Sequence, residues 1–269
     1  MKHLGLKARM AIVGSILFAF YAVGAVFAMG AFNVPLWLVL VGSILLVGVQ
    51  YKVGKWGALR SVGAEDLPED HWMHERAEYM SREMGIKKPR MMIASMGAPN
   101  AFAVGRKGAG TVVIGKELLH TLDREEAEGV LAHELAHIAN RDVVMMVLGQ
   151  GVASIVAIVA QWAVLLSGDN ELADFFLAIV VGQVVQMLVM IFVMAISRYR
   201  EYVADSDASE VVGTEPMARA LEKISRGNQQ ARESAAEDAQ VGALCIFGGG
   251  ASLLSTHPPI EKRIERLRS

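Results

Sequence analysis

Hydrophobic and polar positions fall into long blocks along this chain. Residues 10 to 51 contain no Asp, Glu, Lys or Arg, and Asn33-Val34-Pro35 interrupts them near the middle. A membrane-spanning helix needs ~20 apolar residues, so this stretch predicts two spans joined by a very short turn. Residues 143 to 168 and 175 to 197 are free of the same four residue types, and a short acidic linker from Asp169 to Asp174 separates them. The pattern predicts a mainly α membrane protein with four transmembrane helices in two hairpins. Gln150, Gln161, Gln183 and Gln186 fall inside the third and fourth spans, where amide side chains bridge helices by hydrogen bonds. Lys2, Lys7 and Arg9 would suit a signal peptide, but the apolar run is too long and lacks a convincing A-x-A site, so an uncleaved anchor is expected.

Outside the spans the period changes. Residues 67 to 85 read as an amphipathic helix, in which His71, His74 and Glu75 match no familiar metal spacing and fit a solvated face. Arg90 to Ser95, Ala101 to Val104 and Thr111 to Ile114 are short strand candidates between Gly and Pro turns. They predict a small sheet, whose edge suits an extended peptide. Residues 215 to 226 read as a helix, 227 to 240 as a mobile polar loop, and 241 to 256 as an apolar, Gly-rich stretch too short to span. Pro258-Pro259 then start a closing helix through Arg268. The division expected is a membrane hairpin (1–55), a catalytic part (56–142), a second hairpin (143–197) and a second catalytic part (198–269).

His133-Glu134-Leu135-Ala136-His137 carries the chemistry. On a helix, residues four apart are neighbours, so both imidazoles can reach one metal ion. H-E-x-x-H in that setting reads as a zinc site whose glutamate activates a water. Asp123 and Glu126 form a capping box ahead of it, and Val130, Leu131, Leu135 and Ile138 continue an apolar pattern of helical spacing. A third ligand must come from elsewhere. Glu201 and Asp205, four apart just after the fourth span, are placed to supply it: Glu201 as ligand, Asp205 as hydrogen-bond acceptor for a ligand histidine. If both helices run continuously out of the bilayer, His137 and Glu201 lie at similar heights, about 9 and 6 Å beyond it.

Composition and charge orient the picture. Hydrophobic residues make up 53% of the 269, and mean hydropathy is +0.37. Lys2, Lys7 and Arg9 precede the first span, Lys52, Lys55 and Arg60 follow the second, Arg141 precedes the third, and Arg198 and Arg200 follow the fourth; both hairpin turns lack Lys and Arg. The positive-inside rule therefore places both termini and the catalytic part in the cytoplasm. The one cysteine, Cys245, excludes an intrachain disulfide and fits that reducing side. A net charge of −2 and the lack of a basic stripe argue against nucleic acid.

The chain resembles the HtpX-type membrane zinc metalloproteases, relatives of the CAAX prenyl proteases. The resemblance rests on Pro99-Asn100-Ala101-Phe102-Ala103, on His133 to His137 extended by Asn140 and Asp142, on Arg198-Tyr199-Arg200-Glu201-Tyr202 with Ala204-Asp205, and on Ser255-Thr256-His257-Pro258-Pro259. It implies a glutamate-zincin α+β catalytic domain in the cytoplasmic membrane and degradation of misfolded membrane proteins. It also implies Glu201 as third ligand of one Zn2+, and His257 with Arg263 near the reacting carbonyl. Polypeptide substrates and the lipid bilayer are the expected partners, and Glu134 the general base. The rival expectations are a selective CAAX-type processing peptidase, for which four spans build too small a chamber, and a catalytically silent zinc-dependent scaffold, which an intact Glu134 disfavours.

Overall fold

The computed structural model describes residues 4–169, 172–234 and 258–269. The chain divides into two units, one made of 1–54 and 145–196, the other of 55–144 and 197–269.

In the first unit, helix α1 (Leu4–Phe32) ends where Asn33 takes a left-handed φ of 51°, and α2 (Leu36–Ser61) starts directly after Pro35. Asn tolerates that conformation better than most residues, and a proline ring pre-sets the first turn of a helix. The remaining apolar runs form α6 (Asp142–Ser167) and α7 (Leu172–Val212). All four helices are long and apolar enough to cross a membrane. Leu17, Ala153, Val189 and Val193 make a core shared by α1, α6 and α7, and Gly149 lets α6 approach α7 so closely that a Cβ there would meet Val193 at 2.7 Å. Side-chain bonds join Tyr21 to Ser43 (3.1 Å) and Gln50 to Ser154 (3.3 Å), while Gln161 lies against Gly182. Large apolar side chains point outward, with Val23 and Ile44 each 71% exposed. Such a surface suits lipid rather than water.

The second unit is built on a four-stranded sheet. Strands β1 (Glu65–Asp66), β2 (Arg90–Ala94), β3 (Ala101–Arg106) and β4 (Ala109–Gly115) lie in the order β1-β2-β4-β3. β2 and β4 are parallel and the other pairs antiparallel. The helix expected over 67–85 is shorter, α3 (Met73–Glu83). Leu67 instead bonds the Met91 carbonyl, and His71 Nδ1 accepts the Met73 N–H at the helix start. His74 Nε2 donates to the Leu67 carbonyl, so these two histidines fasten a turn rather than a solvated face.

A short α4 (Lys116–Thr121) leads into α5 (Arg124–Ala139), whose apolar side chains join Met73, Met80, Val112, Ile114, Met217, Leu221 and Ile224 in one core. The loop expected over 227–240 is helical as far as it is described: α8 runs Thr214–Ser234. Tertiary packing overrides local polarity there, since Asn228 is buried and a Cβ on Gly227 would press on Pro99. The closing helix is α9 (Ile260–Leu267). The apolar stretch 241–256 lies outside the described residues.

Candidate metal centre

The Asp123 carboxylate accepts the Glu126 N–H at 3.0 Å, and the Glu126 carboxylate accepts the Asp123 N–H at 3.0 Å, so the capping box starts α5 as the sequence indicates. Glu126 is itself buried and held by Lys223 of α8 at 2.6 Å. Gly129 brings α5 against the backbone of Met217, and Gly110 brings β4 against Ile138. The helix is thus wedged between sheet and α8, with His133 1% and Glu134 2% exposed.

His133 Nε2 and His137 Nε2 are 3.1 Å apart. The Glu201 carboxylate straddles them, with Oε2 3.6 Å from His133 Nε2 and Oε1 3.5 Å from His137 Nε2. These three side chains can hold a metal ion. Behind them, His133 Nδ1 lies 3.0 Å from Asp205 Oδ1, and His137 Nδ1 lies 2.6 Å from Asp142 Oδ2. Arg263 is fully buried. Its Nε and Nη2 donate to the two oxygens of Asp205 at 2.8 and 2.6 Å, and Nη1 is 3.3 Å from Glu201 Oε2.

Electrostatics follow from burial and these carboxylates. Burial pulls the His133 pKa down, but Asp205 and Glu201 outweigh it and push it up to about 9. His137 moves the same way, with burial opposed by Asp142 and Glu201. Glu117 goes the other way: burial raises its pKa, yet bonds from the Ser95 hydroxyl and the Met96 and Gly97 amides leave it lowered. That carboxylate fixes the turn after β2.

The structure brings His133, Glu134, His137, Glu201, Asp205 and Arg263 into one buried cluster; His257 lies outside the described residues. Asp142 and Arg200 were missed as site residues by sequence reasoning. Asp142 is five residues after His137, on a different face of any continuous helix, and reaches back because the chain breaks. α5 stops at Ala139, Arg141 takes a left-handed φ of 60°, and α6 begins at Asp142. The condition that both helices run continuously out of the bilayer is therefore met on one side only: the helix of His137 breaks before the third span, whereas α7 carries Glu201 without a break.

Residues 68–269 match the model of peptidase family M48. The chain is 61% identical to the "Protease HtpX homolog" of Halobacterium salinarum, across 97% of this chain and all of that protein. It is 38% identical to the "Protease HtpX" of Enterobacter sp. (strain 638), across 81% of this chain and 80% of the other. Among solved structures it resembles the crystal structure of S. mikatae Ste24p, with a TM-score of 0.60 at 19% identity, over 97% of this chain and 63% of that one, a likeness of fold. Family, relatives and the buried His-His-Glu cluster agree: the chain belongs to peptidase family M48, as a membrane metalloprotease of the HtpX type.

Proposed function

We propose that the chain is a zinc endopeptidase that cuts misfolded membrane proteins on the cytoplasmic side, with His133, His137 and Glu201 as ligands. The spacing of the ligand atoms carries this reading. Ligands about 2.0–2.1 Å from a tetrahedral zinc are about 3.3–3.4 Å from one another. The two Nε2 atoms are 3.1 Å apart here, and each has its own Glu201 oxygen at 3.6 or 3.5 Å, close to that edge. Two imidazoles and one carboxylate are also the donor set of catalytic zinc sites that keep a fourth position open.

When bound, zinc supplies Lewis acidity to a scissile carbonyl and acidifies the attacking water. The remaining work belongs to the chain. Glu134 takes a proton from that water and returns it to the leaving amine. Asp205, 3.0 Å from His133 Nδ1, is placed to accept a hydrogen bond from that N–H and so to keep the lone pair on Nε2. Arg263 carries Asp205 on two of its nitrogens and faces Glu201 with the third, so its charge offsets two buried carboxylates. His257 and Arg263 are the two candidates for donor to the reacting carbonyl. Basic residues beside the span ends support cytoplasmic termini, and the Tyr21–Ser43 bond between α1 and α2 supports the first hairpin.

Glu134→Ala and Glu134→Gln test the reading. Both variants are expected to keep zinc and to lose ~10²–10⁴-fold in casein cleavage, the range of general acid–base catalysis. Full cleavage with zinc retained overturns it. Cleavage restricted to prenylated peptides, with casein untouched, transfers the activity to a processing peptidase.

A further inference from the structure

We propose that Asp142, held by Arg200, is a positioning residue for His137 and sets the affinity of the metal centre. The inference rests on the zinc reading above and adds a second carboxylate–arginine support to it. His133 is backed by Asp205, which is gripped by Arg263. His137 is backed by Asp142, whose other oxygen accepts the Arg200 Nε–H at 2.5 Å. Each ligand imidazole thus meets a buried carboxylate through Nδ1, and each carboxylate is fixed by a buried guanidinium from another segment of the chain. Arg200 is 2% and Asp142 6% exposed. Nothing in ordinary solvation calls for an arginine there.

The geometry decides what the pair does. With Nδ1 donating to Asp142 at 2.6 Å, the lone pair of His137 is on Nε2, the nitrogen that faces His133 and Glu201. Arg200 meets the carboxylate through Nε alone, on the oxygen that does not face the ring, and so favours the orientation that keeps the other oxygen on His137. It also precedes Glu201 in α7, so one short helical segment delivers both the third ligand and the clamp on the second. Losing such an outer partner typically weakens metal binding ~10–100-fold.

The test is a chelator-competition measurement of zinc affinity on the full-length protein in detergent, with the Co2+ absorption spectrum and metal-free thermal unfolding recorded alongside. Asp142→Asn is expected to bind zinc ~10–100-fold more weakly, with an altered Co2+ spectrum. It also strands a buried arginine, which destabilises the metal-free fold. The double variant Asp142→Asn with Arg200→Met removes that stranded charge. It is expected to regain metal-free stability and still bind zinc weakly. Wild-type affinity in the double variant, or loss of its fold, overturns the assignment by making the pair purely structural. Failure of the unmodified protein to bind zinc in the same titration would instead bring down the zinc reading itself.

Discussion

In the proposed zinc site, a metal ion must displace the proton on His133. Its pKa stands at about 9 against an ordinary 6.5, because Asp205 and Glu201 outweigh burial. A raised pKa means that the bound proton stabilises the metal-free fold fully below pH ~6.5, and that this contribution is lost as pH rises through ~9. Zinc affinity should therefore climb at least tenfold per pH unit across that window, His133 releasing one proton per ion bound and His137, whose pKa is raised as well, adding to the slope. A pH-independent affinity between 6.5 and 9 would show that the ring is already neutral. Asp205 makes a second prediction at this scale. Asp205→Asn should weaken zinc binding ~10–100-fold. It should also cost about 3–5 kcal/mol in the metal-free fold, because Arg263 loses its charged partner; denaturant titration in detergent measures that cost. The i,i+4 spacing from Glu201 made Asp205 legible in the sequence. Arg263 could not be placed that way: it lies 130 residues beyond His133, and only tertiary folding makes them neighbours.

At the level of elements, the capping box and the strand runs were readable because their determinants are local. Asp123→Ala removes one half of that box and should cost about 1 kcal/mol, read from thermal unfolding. The break after α5 was not readable, since Arg141 gives no sign in the sequence of its left-handed backbone. Arg141→Val should cost ~1–2 kcal/mol and release zinc more readily, because a branched side chain resists that conformation. Arg141→Gly should be tolerated on both measures. Equal behaviour of the two variants would show that the break does not depend on residue 141. Residues 227–234 escaped prediction for a related reason. Their polar composition suits a loop, and what makes them helical is contact with residues far away in the chain, Pro99 among them.

For the whole molecule, the four apolar runs were the plainest signal, because a bilayer demands uninterrupted length. For the side they face, the sequence offers only an excess of Lys and Arg beside the span ends. With Cys245 replaced by serine, a cysteine at Lys107 should react with an impermeant thiol reagent only after the cell membrane is opened, and one at Asp169 should react in intact cells. Both positions are exposed. The reverse pattern would invert the topology. The wide separation of the site residues has a further meaning for how the protease comes into being. Translation at ~5–20 residues per second puts on the order of ten seconds between the emergence of His133 and that of Arg263. During that interval both histidines exist, Glu201 arrives only after two more apolar helices have been made, and its buried carboxylate waits for the guanidinium that neutralises it. On the proposed zinc reading, the nascent chain is thus unarmed until Arg263 has been made.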